Sequence, residues 1–79
     1  MSKNVVVLIA GRAYSMTRNQ FKAGIEPLAR GSVPFGIYAV EKAGQIQMLK
    51  EHCSSLTQLK RKKREYAAKG FKVYVNQEI

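Results

Sequence analysis

Val5-Val6-Val7-Leu8-Ile9-Ala10, closed by Gly11, is the stretch on which the architecture turns. An unbroken apolar run rich in β-branched side chains has no polar face to turn to water, so it reads as a strand covered on both sides. The run is far shorter than the roughly 20 residues of a membrane-spanning helix. With Met1 to Lys3 before it, the start has the outline of a secretory signal. Gly11-Arg12 follows where a small-residue cleavage site would stand, so no signal peptide is expected.

Downstream of this strand, Thr17 and Gln20 have capping-box spacing, and Met16 and Phe21 stand where a hydrophobic staple pairs. A helix therefore begins at Thr17. Phe21, Ile25 and Leu28 continue it at helical spacing, while Gly24 and Pro27 predict an end or kink near Ile25 and a further short turn reaching Arg30. Gly31-Ser32-Val33-Pro34 is a loop by composition. The runs 35–42 and 45–50 flank Ala43-Gly44, the pattern of a two-strand hairpin. Ser55 with Gln58 predicts a second helix, with Leu56, Leu59, Tyr66 and Ala67 on its packing side, Lys69 in its last turn and Gly70 ending it. Phe71-Lys72-Val73-Tyr74-Val75 alternates as a strand with one buried face.

The predicted order is β-α-β-β-α-β in one domain over residues 1–79, an α+β fold. That order matches the ferredoxin-like split βαβ sandwich, an antiparallel sheet with both helices on one side. The alternative is a winged-helix-like arrangement with the 35–49 hairpin as the wing, which leaves the first strand without a partner.

Charge narrows the function classes. Fourteen Lys and Arg face five Glu and no Asp, for a net charge of +9 and a pI near 10.1. Such a surface attracts polyanions over a Debye length of about 8–10 Å. Nucleic acid, DNA or RNA, is the expected partner, with an acidic protein as the alternative and no membrane association. One cysteine, Cys53, cannot close an internal disulfide, so a reducing, cytoplasmic setting is expected.

Lys60-Arg61-Lys62-Lys63-Arg64 is the most pointed feature. On a helix, Lys60 and Arg64 line one flank, Arg61 points outward, Lys62 and Lys69 line the other flank, and Lys63 falls inside the packing stripe, where it must snorkel. Glu65 is the only acid in the run, so ion pairing does not account for five adjacent cations. Plain solvation of a surface helix is the competing explanation. Gly11-Arg12-Ala13-Tyr14-Ser15 reads as a loop from strand to helix, where Arg12 and Arg18 would make a second phosphate contact. Neither the P-loop nor the dinucleotide glycine pattern is present.

Tyr38 and Tyr74 on outer strands, with Lys72, would form a stacking platform if exposed, and ordinary cross-strand partners if half-buried. The absence of aromatics from 5–10 and 45–49 argues against an RNA-recognition motif. Val6 and Leu8, with Tyr38, Val40 and Leu49 nearby, predict an open apolar sheet face that a second copy would cover, unless a helix does. His52 and Cys53 are sequence neighbours that do not converge on a common atom, and one His with one Cys and no Asp cannot complete a zinc site. No catalytic residue, metal or cofactor is expected.

The expected function is a small nucleic-acid-binding protein that grips phosphates with Lys60, Arg61, Lys62, Lys63 and Arg64, helped by Lys69, Lys72, Tyr74, Arg12 and Arg18, with little base specificity. The alternative is an accessory or inhibitor module docking on an acidic partner, with homodimerisation through the open sheet face.

Overall fold

A computed structural model of the protein describes residues 4–77, so the charged tip Met1 to Lys3 lies outside the described residues. Along the chain run β1 (Asn4–Ile9), β2 (Arg12–Thr17), α1 (Arg18–Gln20), a π turn (Phe21–Ile25), α2 (Glu26–Ser32), β3 (Phe35–Lys42), β4 (Gln45–His52), α3 (Leu56–Ala68) and β5 (Lys72–Gln77). The strands form one sheet in the order β2-β1-β4-β3-β5. Neighbours are antiparallel except β1 and β4, which run parallel. The fold is therefore mixed α+β.

It departs from the expected ferredoxin-like arrangement in strand number, strand order and helix placement. The residues expected as a loop after Gly11 are strand β2, paired with β1 over its whole length from Ile9–Arg12 to Asn4–Thr17. Ala10 and Gly11 have φ of 50° and 81°, the pair of positive values that a tight two-residue hairpin turn of the right twist requires. Ala43 and Gly44 repeat it at 54° and 78° between β3 and β4.

The extra strand reverses the chain before the first helical segment. That segment then carries the chain from β2 across to β3, two strands of the same polarity. α3 carries it from β4 to β5, which have the opposite polarity, while moving across the sheet in the same direction. Two crossovers of one hand that start from strands of opposite polarity lie on opposite faces. The helices accordingly sandwich the sheet instead of sharing a side, and β5 joins β3 instead of β1.

Each face has its own core. Phe21, Ile25, Ala29 and Val33 of the first helical segment and the turn after it pack on Val5, Val7, Tyr38, Ala39 and Ile46. Leu59 and Tyr66 of α3 pack on Ile37, Val40, Leu49, Val73 and Val75. A β-bulge at Tyr38 breaks the register of β3 against both neighbours and turns Tyr38 and Ala39, adjacent in sequence, toward the same core.

The first helix starts as expected. The Gln20 N–H donates to Thr17 Oγ1 at 3.1 Å, the Thr17 N–H donates to Gln20 Oε1 at 2.9 Å, and Met16 packs in the cluster that holds Phe21. Of the end or kink expected near Ile25 it has no end: regular α geometry is interrupted over Phe21–Ile25, and the further turn expected to reach Arg30 follows as α2. The Glu26 N–H reaches back five residues to the Phe21 carbonyl, and this wider π turn lets the backbone continue through Pro27, which has no N–H to offer, as far as Ser32. Asn76, buried on β5, ties the sheet to the end of this helix by donating to the carbonyls of Arg30 (2.9 Å) and Val33 (3.1 Å).

The expected open apolar face is mostly covered. Val40 and Leu49 lie under α3, Tyr38 is buried beneath the other helix, and only Val6, 37% exposed, and half-buried Leu8 remain on the part of the sheet that α3 does not reach.

Candidate nucleic-acid interface

α3 positions the basic run. Its Ser55 cap accepts from the Gln58 N–H at 3.2 Å, and Gln58 Oε1 accepts from the Ser54 N–H and hydroxyl, each at 2.8 Å. This reciprocal cap is shifted by one residue from the capping box expected at Ser55. The packing stripe is buried Leu59 with half-buried Lys62 and Tyr66, spaced i, i+3, i+7, while Leu56 is 47% exposed and Ala67 is exposed. The stripe is thus rotated from the expected one, and Lys62, not Lys63, is the cation at its edge. Lys63 is exposed and has no need to snorkel.

With the helix docked this way, Lys60, Arg61 and Arg64 occupy the face directly opposite Leu59 and Tyr66. Together with Thr57 they line a shallow depression of about 240 Å³. Among the described residues, ion pairs form only between Arg18 and Glu41 and between Arg30 and Glu26, so no cation of α3 is neutralised by a carboxylate. Thr57 was missed in the sequence, although its position three, four and seven residues before Lys60, Arg61 and Arg64 places it on their row.

Lys62 and Lys69 belong to a different site. They line a cleft under α3 with Glu51, Glu65 and Tyr66. The Tyr66 hydroxyl donates to Glu51 Oε1 at 2.9 Å, and burial, reinforced by this bond, pushes the phenol pKa up. Lys69 also closes the helix, its carbonyl accepting from Lys42 Nζ at 3.2 Å.

The remaining candidates lie on the other side of the sheet. Arg18 forms a bidentate pair with Glu41 (2.9 and 2.7 Å), and the Tyr74 hydroxyl donates to Glu41 Oε1 at 2.6 Å. Tyr74 packs edge-on against Phe21, ring centres 5.8 Å apart, and Lys72 Nζ sits 5.2 Å from the centre of the Tyr74 ring. Tyr38 is buried on β3, an interior strand, and donates to Glu26 Oε1 at 3.2 Å. No stacking platform is assembled from these tyrosines. Arg12 opens β2 and Arg18 follows its last residue, roughly 20 Å away at strand rise, so they do not form the phosphate cradle expected at the helix start.

The Arg18 and Tyr74 hydrogen bonds hold the Glu41 carboxyl down at about 2, from its usual 4.5. Its folded-state value lies below the unfolded one, so its contribution to stability is complete above the ordinary carboxylate range and is lost as the pH falls toward 2. Glu41→Gln should cost about 1–2 kcal/mol at neutral pH, with screening at the part-exposed Arg18 keeping it modest. Denaturation midpoints between pH 4.5 and 2 should drop less steeply for the variant than for the parent chain.

No protein-family model, curated protein or solved structure matches this chain. Among the described residues no helix is long and apolar enough to cross a membrane.

Proposed function

We propose that the protein binds nucleic acid by gripping backbone phosphates with the outward face of α3, through Lys60, Arg61 and Arg64, with Lys63 at the flank. The observation that carries this reading is the gathering of these unneutralised cations on one exposed helix face of a chain with net charge +9. Lys and Arg side chains on one row can follow a phosphate backbone, and the counterions they displace supply the driving force. The aromatic rings nearest to α3, Tyr66 and Phe71, pack inward against each other and the sheet. No ring therefore stacks on an unpaired base from this face, and little base preference follows.

The test is affinity for a generic duplex and a generic single strand across a range of salt. Three to four phosphate contacts give a slope of log affinity against log salt of about −3 to −4 on duplex. Failure to bind either polymer at low salt overturns the reading.

A second reading, docking on an acidic protein, is favoured by Leu56, which stands exposed one turn from Lys60 and two turns from Lys63 on the same flank. A stoichiometric partner that survives nuclease treatment of a lysate would select it. The lone thiol Cys53 supports placing the protein in a reducing compartment, and we place it in the cytoplasm.

A further inference from the structure

We infer that a second copy of the chain pairs with the outer edge of β2, joining two sheets into one continuous ten-stranded sheet. The inference is independent of what α3 binds. Its basis is the direction of the backbone groups on β2. Val6 uses its N–H on the Gly44 carbonyl at 3.0 Å, turned away from β2, so Val6 and its opposite number Ser15 form a pair that exchanges no backbone bonds. The alternation then directs the N–H and C=O of Ala13 and Ser15 out of the sheet. Thr17, next in the same phase, already turns its N–H to the Gln20 side chain.

Among the described residues β2 ends the sheet on this side, and Ala13, Tyr14 and Ser15 are exposed. Edge strands are ordinarily guarded by proline, lysine, a bulge or an inward-pointing charge. β2 has no proline or lysine, and its register against β1 is unbroken. Its single charge, Arg12, sits at one end.

The four outward groups are self-complementary. An antiparallel twofold pairing that sets Ala13 against Ser15 of the second copy, and Ser15 against its Ala13, satisfies all of them with four hydrogen bonds. It brings Tyr14, 44% exposed in the single chain, directly opposite its own twin. It places each Arg12 against a Met16, so the like charges are separated along the strand. This edge also lies away from the concentrated charge of α3. α3, with its concentrated charge, packs over β3 and β5 at the far side of the sheet, and the competing edge, β5, opens with Lys72.

Sedimentation of the protein freed of nucleic acid should show a concentration-dependent species of twice the 8.9 kDa chain mass. Ser15→Pro should return it to the monomer mass with an unchanged circular dichroism spectrum, because the N–H it removes serves no bond to β1. In a Cys53→Ser background, Tyr14→Cys should form an interchain disulfide on mild oxidation and Ser15→Cys should not, which fixes the register. A parent chain that stays monomeric at every concentration overturns the inference. So does a dimer whose mass Ser15→Pro leaves unchanged, or one in which Tyr14→Cys fails to cross-link. If Ser15→Pro does not fold, the cross-linking pattern alone decides.

Discussion

Gly36→Ala should be among the most damaging single substitutions in the chain, lowering stability by about 2–6 kcal/mol. Gly36 sits at φ 151°, a backbone conformation that side chains rarely adopt, and a Cβ there would overlap the backbone carbonyl oxygen of Glu51 on β4. Strain of that kind costs of order 1–3 kcal/mol, and forcing atoms into a filled site typically costs about 1–3 more. The neighbour cannot yield cheaply, because the obstacle is main chain in a paired strand. Gly36 is registered with His52 on one side and Asn76 on the other, so displacing it disturbs β4 and β5 together. A small domain holds about 0.05–0.15 kcal/mol per residue in total, so a loss of this size removes much of the margin. Urea denaturation followed by circular dichroism is the measurement. Gly24→Ala is the comparison, since nothing lies within 4 Å of a Cβ there and alanine favours a helix, so its midpoint should stay or rise slightly. Equal midpoints for the two variants would refute this account of Gly36.

The contrast between the two hairpins shows where the sequence is legible. Ala43-Gly44 was readable as a turn because strand-like apolar runs flank it on both sides, continuous in 37–40 and broken by Gln45 and Gln47 beyond it. Ala10-Gly11 makes the same turn with nearly the same φ values, but the strand after it, Arg12–Thr17, is an edge strand with its first four residues exposed. An edge strand needs no apolar alternation, so its sequence resembles a loop. The Thr17 capping box strengthened that impression by marking where a helix begins, and it is present as expected. One unread strand was enough to reverse the polarity of everything after it, and with it the face on which the first helix packs. The basic helix was legible in extent but not in phase. Counting Leu56 and Ala67 as buried rotated the stripe and exchanged the roles of Lys62 and Lys63, an error small in angle and decisive for which cations face outward. The diversion of Arg18 into a pair with Glu41, 23 residues away, has no local signature, because it depends on how strands meet.

Replacing Lys60, Arg61 and Arg64 together by glutamine should lower affinity for a generic duplex at low salt on the order of 100-fold and flatten the salt slope by about 3, since each phosphate contact contributes about 0.9 to it. The fold should be unaffected, because all three residues sit opposite the Leu59–Tyr66 stripe and glutamine is nearly as good a helix former as lysine or arginine. Lys60 and Arg64 are like charges one turn apart, so stability should hold or rise by a few tenths of a kcal/mol. Losing three positive charges weakens attraction to any polyanion, so the decisive comparison is a second triple, Arg12→Gln, Lys22→Gln and Lys50→Gln. These three cations are exposed and lie away from α3, and the variant has the same net charge as the first. If long-range attraction by net charge is the whole effect, the two variants lose affinity and slope alike. If α3 grips phosphates directly, the second triple keeps most of both while the first does not, because displaced counterions are counted at the contact and not over the surface.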